Sequence, residues 1–237
     1  LDQSMIADLK EQEGKMYAAD KLVADTEDRK NALEEFVYDT RSKLDERYSQ
    51  FVQPQEKEQL LSMLGESEDW LYTEEGEDAS KSAYVSRLET LQKAAAPVHF
   101  RWKEYDERPR AAAQLREVVN RYMSVFENEP EKYDHLSDDD KMKVIEKAAT
   151  VGKWLDDYMY KQSELPKNVE PKLTSDEILR KKDDVIYVCT PILTKPKPRV
   201  PVDTPKPEGN REGAPQSEQQ QQQQGNENQK QGEMDVD

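Results

Sequence analysis

Cysteine occurs once in this 237-residue chain, at Cys189, and histidine twice, at His99 and His135. A lone thiol excludes an internal disulfide framework and fits a reducing compartment. Neither histidine has a ligand-like neighbour, so zinc is not expected. No apolar run reaches the ~18 residues that a helical membrane span needs. A basic stripe is missing too. With 35 Lys+Arg against 51 Asp+Glu the net charge is -16, so neither nucleic acid nor an anionic membrane surface is an expected partner. There is no glycine-rich phosphate loop, no Ser/His/Asp set and no histidine near Cys189. The chain is therefore not read as an enzyme, and no metal or cofactor site is expected in it. "SDDDK", from Ser137 to Lys141, reads as a helix N-terminus that complements the macrodipole, and Cys189 as a small buried hydrophobe.

What is present is charge: 36% of residues are charged, 34% are hydrophobic, and the mean hydropathy is -1.10. That is too polar for a compact sheet protein and normal for long, thin helices. The chain begins at Leu1 rather than at methionine, which we read as a segment of something longer. Residues 1–52 read as helix nearly throughout. Ile6, Leu9, Met16, Leu22, Leu33, Phe36, Val37, Leu44 and Tyr48 recur at helical spacing, and Pro54 is expected to end the run. A rod of ~70 Å at 1.5 Å per residue rarely packs on one body. A bend or two bodies sharing it is expected, with a change of packing at Asp25-Thr26.

A second helix is expected from Gln55 to Tyr72, then a loop over "EEGEDAS", then a third helix closed by Pro97. The pattern recurs: Leu115, Val118 and Val119 echo Leu33, Phe36 and Val37, and Trp154-Leu155 echoes Trp70-Leu71. This predicts two stacked helical units, with Trp70 and Trp154 as core anchors. Ser137-x-x-Asp140 and Thr174-x-x-Glu177 read as capping boxes. After Thr194 the composition changes. Seven of the 13 prolines lie at or beyond Pro191, Gln219–Gln224 is an unbroken run, and no aromatic follows Tyr187. Such a segment cannot bury enough apolar surface to offset its ordering entropy. The fold class expected is thus all-α: a long N-terminal helix feeding stacked antiparallel bundles (1–105 and 106–194), then a disordered acidic Pro/Gln-rich tail (195–237).

In "RKNALEEFVYD", Arg29 to Asp39, Leu33, Phe36 and Val37 share one helical face. Asn31, Glu34, Glu35 and Tyr38 share the opposite one. On the residues alone such an acidic face is more often plain solvated surface, although an outward tyrosine beside an asparagine also fits an interface, where aromatics are enriched.

Four stretches carry a resemblance: "DKLVADTEDRKNALEEFVYDTRSKL", "EDWLY", "KNVEPK…VCTPILTKPKPR" and the terminal "EMDVD". They resemble the C-terminal part of the 110-kilodalton class of large heat-shock chaperones, the divergent branch of the 70-kilodalton superfamily. The resemblance implies an ATP-binding domain and a β-sandwich substrate domain outside this chain, which would be the helical lid and tail. It implies a nucleotide exchange factor, present in the cytoplasm and also the nucleus, whose lid embraces the ATPase domain of ordinary 70-kilodalton chaperones and assists folding and disaggregation. The family's contact positions, an Asn and a Glu three residues on, fall on Asn31 and Glu34. Met234, Asp235, Val236 and Asp237 resemble the acidic tail motif that docks tetratricopeptide-repeat co-chaperones, with Met234 and Asp235 departing from it. The rival reading is a holdase that binds unfolded clients through lid or tail.

Overall fold

The computed structural model describes residues 2–198, and those residues are helical with no strand among them. Six helices follow in order: α1 (Gln3–Asp45), α2 (Pro54–Leu71), the single turn α3 (Glu74–Glu77), α4 (Lys81–Asn128), α5 (Asp138–Ser163) and α6 (Ser175–Leu193). A 3-10 turn, Pro130–Lys132, joins α4 to α5.

Two apolar cores are strung along α4. The first gathers Leu33, Val37 and Leu44 of α1, Leu60, Leu64 and Leu71 of α2, and Tyr84, Leu91 and Val98 of α4. The second gathers Leu115, Val118 and Val119 of α4, Val144, Val151 and Leu155 of α5, and Ile178, Val185 and Cys189 of α6. The paired positions in sequence occupy like places: Leu71 and Leu155 are buried, each beside a tryptophan that packs on its core's edge. Those tryptophans flank the cores rather than anchor them. Trp70 lies half-buried between the edge of Tyr84 (ring centroids 5.6 Å apart) and the guanidinium of Arg87 (3.9 Å). Trp154 lies against Tyr158 (5.2 Å) and Lys181 (5.4 Å).

The expected stop at Pro97 is overturned, because α4 runs through both Pro97 and Pro109 and across the 105/106 boundary. An interior proline removes one helical hydrogen bond and costs ~3 kcal/mol. Both prolines are exposed, as are Lys93 and Tyr105, whose carbonyls lose their donors. Their exposure leaves those carbonyls a route to water, while Ala95, Val98, Ala111 and Ala112 stay packed in the two cores. Helix α1 also ends earlier than expected, at Asp45. The chain leaves the helix there to bury Tyr48, Phe51 and Val52 in a turn, closed by Phe51 N–H donating to the Tyr48 carbonyl at 2.9 Å. The "EEGEDAS" stretch holds α3, whose Gly76 N–H donates to Thr73 Oγ1 at 3.1 Å.

Thr174 and Glu177 make the reciprocal capping box. Ser137 makes only half of one: it accepts from the Asp140 N–H at 3.2 Å, but the Asp140 carboxylate turns to Lys195 at 2.6 Å. Helix α1 is unbroken over 43 residues, about 65 Å. Its first half, residues 2–24, is exposed throughout, and packing begins at Asp25-Thr26. Good helix formers and an i,i+4 pair between Glu11 and Lys15 (2.7 Å) sustain that half. The expected tail, residues 199–237, lies outside the described residues.

Two glycines test the packing. A Cβ on Gly76 would lie 1.8 Å from the carbonyl oxygen of Trp70, whereas one on Gly65, inside α2, meets nothing within 4 Å. Gly76→Ala should therefore destabilise by about 1–3 kcal/mol. Gly65→Ala should stabilise by about 0.5–1 kcal/mol. Denaturant unfolding of the two variants reads both signs.

Candidate functional site

The stretch Arg29–Asp39 is seated by burial. Leu33 and Val37 are 0% and 1% exposed, Phe36 packs partly against the same core, and Thr40 and Leu44 continue the inward stripe. Each fully buried aliphatic side chain contributes ~1.5–3 kcal/mol. The exposed ion pairs around them contribute ~0–1 kcal/mol each. Apolar burial therefore fixes how α1 is rolled, and the polar braces trim it. Those braces run along both flanks. Asp25 pairs with Lys81 at 2.9 Å and Lys30 Nζ donates to the Glu77 carbonyl at 3.5 Å. Arg41 Nη2 donates to Glu68 Oε2 at 2.5 Å and holds the Glu68 carboxyl below its usual range.

With that roll, the outward set points as its spacing requires. Asn31 and Glu35 are exposed and have no side-chain hydrogen bond among the described residues. Glu34 is half-buried and Tyr38 is exposed. These two are tied together by a residue that the sequence reading did not single out. Tyr72, at the end of α2, donates its hydroxyl to Glu34 Oε1 at 3.0 Å and lies 3.3 Å from the Tyr38 hydroxyl. The hydrogen bond with Tyr38, then that with Glu34, raise the Tyr72 pKa well above the ordinary tyrosine value. The outcome is an acidic, aromatic-edged face: Asn31 and Glu35 free, Glu34 pre-oriented, and two tyrosines beside it. Glu34 and Tyr72 stand 38 positions apart. No periodicity rule links residues that far apart, so only the "EDWLY" wording marked the place. The tail residues Met234, Asp235, Val236 and Asp237 lie outside the described residues.

Among the described residues no group of three or more His, Cys, Asp or Glu could hold a metal ion. His99 packs between the rings of Tyr48 and Trp102 (centroids 6.2 and 5.8 Å), and His135 Nε2 donates to the Lys195 carbonyl at 2.8 Å.

Residues 1–104, which include the whole face, match the family model described as Hsp70 protein. Heat shock 70 kDa protein 15 of Arabidopsis thaliana is 38% identical over 202 residues, covering 85% of this chain and 24% of the plant protein. Heat shock 70 kDa protein 4L of Homo sapiens is 37% identical over 215 residues, covering 90% and 26%. Heat shock 70 kDa protein 4 of Homo sapiens is 35% identical over 203 residues, covering 84% and 24%. The chain thus spans about a quarter of the length of the relatives it matches.

The Tyr72 hydroxyl gives the brace a pH signature. Its neutral form is the donor, so the brace is complete below the ordinary tyrosine value of 10.0 and is lost as pH rises through the raised folded value. In a phenolate absorbance titration of the 11 tyrosines, Tyr72→Phe should delete the most alkaline step. Glu34→Gln should move that step down. If the step lost in Tyr72→Phe lies in the ordinary tyrosine range instead, the brace does not exist in solution.

Proposed function

The chain belongs to the 70-kilodalton heat-shock protein superfamily, and from that premise we propose that it is the helical lid and tail of a large heat-shock co-chaperone. In this reading the outward face of α1 docks on the ATPase domain of an ordinary 70-kilodalton chaperone and promotes nucleotide exchange there. The ATP site of the longer protein lies outside this chain. One observation carries the reading: Asn31 and Glu35 stand free on a helix that the burial of Leu33 and Val37 seats against the first core. Docking then loses little conformational entropy, because the face is already ordered. A docked lid accelerates ADP release only if it binds the open, nucleotide-free form of the partner more tightly than the closed one. Exchange is thus a difference of two affinities set by this face.

A second reading has its own support. Met5, Leu9, Met16, Tyr17, Leu22 and Val23 on the first half of α1 are all more than half exposed. Exposed apolar surface of that extent marks an interaction site. A holdase that keeps unfolded clients from aggregating would use it, with or without the tail.

The two readings separate by mutation. In the full-length protein, Asn31→Tyr with Glu34→Ala should leave the helical circular dichroism unchanged and weaken partner binding at least about tenfold, or about 1.4 kcal/mol. Nucleotide exchange measured by stopped flow should slow in step. An unchanged exchange rate would make the face ordinary surface. Replacing Leu9, Met16 and Leu22 with serine should leave exchange intact. If the same variant also protects a heat-labile client from aggregation as well as the parent does, the holdase reading fails.

A further inference from the structure

The connection from α4 to α5 is acidic: residues 127–140 hold seven Asp or Glu and one lysine. The chain that leaves α6 is the reverse. Lys195-Pro196-Lys197-Pro198-Arg199 alternates cations with prolines, and no acid follows until Asp203. Two of these cations are seated on the acidic connection. Lys195 Nζ lies 2.6 Å from Asp140 and Lys197 Nζ 2.8 Å from Asp134. Lys197 Nζ also donates to the Glu131 carbonyl at 2.7 Å, and the Lys195 carbonyl accepts from His135 Nε2 at 2.8 Å. The order of partners sets a direction. Between Lys195 and Lys197 the chain steps back from the first turn of α5 to the 3-10 turn, toward the end of α4. The next carboxylate on that course is Glu129, and the next cation is Arg199.

Glu129 also lines a groove of ≈ 520 Å³ between the ends of α4 and α6, a volume within the range of ligand sites, ~300–1,000 Å³. Along α4 its wall runs from Glu129 to Arg121, with Val125 and Tyr122 between, and Tyr133 and Leu193 complete the apolar part. The wall is fixed, because Tyr122, Val125 and Tyr133 belong to the second core and the Tyr122 hydroxyl lies 3.3 Å from Thr190 Oγ1 of α6. The charges at its two ends are held only loosely. Glu129 pairs with Lys132 at 2.7 Å and Arg121 with Glu117 at 2.9 Å, every partner being exposed. Exposed pairs of this kind contribute little and trade partners readily.

Groove and tail agree in length and in sign. Glu129 and Arg121 lie eight positions apart, about 12 Å along a helix. Arg199 and Asp203 lie four apart, about 12 Å in the polyproline-type extended form that Pro198 and Pro201 favour. Acid then base along the wall meets base then acid along the tail, and Val200, Pro201 and Val202 fall opposite the apolar part. A segment tethered this closely meets its groove at a local concentration on the order of millimolar, so a contact too weak to hold a free peptide closes here. We infer that Arg199–Asp203 returns into this groove as a strap, with Arg199 on Glu129, Val200 and Val202 against Tyr122, Val125, Tyr133 and Leu193, and Asp203 on Arg121. The strap ties the last turn of α6 to α4 and sets the point from which residues 204–237 depart. It is independent of the α1 face and of the function proposed for it.

Trypsin reads the strap directly. Lys195, Lys197 and Lys206 each precede proline, so within residues 195–210 the one bond it cuts is Arg199–Val200. In the 237-residue chain that bond should be cut at least about tenfold more slowly than in a free peptide of residues 195–210, since cleavage tracks the open population. Val202→Ser with Asp203→Asn leaves the two lysines in place and should bring the rate close to that of the equally substituted peptide. Arg121→Gln, an exposed change at the far end of the groove, should remove most of the protection. Helical circular dichroism should be unchanged in both variants. In methyl-labelled full chain, Val200 and Val202 should show nuclear Overhauser contacts to the rings of Tyr122 and Tyr133. Cleavage as fast in the chain as in the peptide overturns the strap. So does full protection in Val202→Ser with Asp203→Asn, since the lysine clamp alone would then account for it. Val200 and Val202 methyls at random-coil positions, or in contact with other rings only, overturn it as well.

Discussion

Arg101, Glu104 and Arg108 lie at i, i+3 and i+7 on one face of α4, where an ordinary core helix would carry leucines. All three are buried, and together they reach backbone groups on two distant pieces of chain. Arg101 donates to the Phe51 carbonyl at 2.8 Å, in the turn after α1. Glu104 accepts from the N–H of Ser175, the first residue of α6 and one of the orphan donors that every helix start leaves. Arg108 holds the Leu173 carbonyl just before that start. Buried charges survive only when paired and hydrogen-bonded. Here the pairing is internal, Arg101 with Glu56, and Glu104 lies close enough to Arg108 to favour its charge against the burial that lowers its pKa. The single long helix therefore fixes the end of the first helical group and the beginning of the last to the same frame.

The proposed docking face inherits its rigidity from that frame. Helix α1 is rolled by Leu33, Val37 and Leu44 against α2 and the first half of α4, and α4 cannot shift without breaking the buried polar row. Phe51, whose carbonyl Arg101 holds, closes the turn that follows α1. A face of four side chains can recognise a partner selectively only if their spacing is kept. Burial on one side of α1 and buried hydrogen bonds one helix away together keep it.

Much of this was legible in the residues because the signal was local. Helical periodicity placed Leu33 and Val37 inward and Asn31, Glu35 and Tyr38 outward, and the start of packing at Asp25-Thr26 coincides with a break in the character of the sequence. The two echoed triplets, Leu33/Phe36/Val37 and Leu115/Val118/Val119, do sit in two separate cores. What was not legible depends on tertiary contact. Pro97 reads as a stop in any local rule, yet packing on both sides carries the helix through it. Tyr72 reads as the last residue of a helix, and its role arises from α1 passing beside it. The charged row on α4 drew no reading at all, because nothing in "RWKEYDER" shows that two distant loops would cover it.

The exposed first half of α1 poses the opposite problem. Twenty-two residues without tertiary contacts would be a marginal helix alone, since nucleation is unfavourable. Here the nucleus is supplied by the buried half, and the free half extends it residue by residue without a new nucleation step. The same rod thus has a stiff part and a part whose ordering is only local. The stiff part suits a docking face, where preorganisation lowers the cost of binding. The free part carries Met5 and Met16 among its exposed apolar side chains, and flexible, polarisable methionines suit surfaces that meet many shapes. If both proposed activities belong to this rod, their separation along it follows from where burial ends, at Ala24, and not from any boundary between domains.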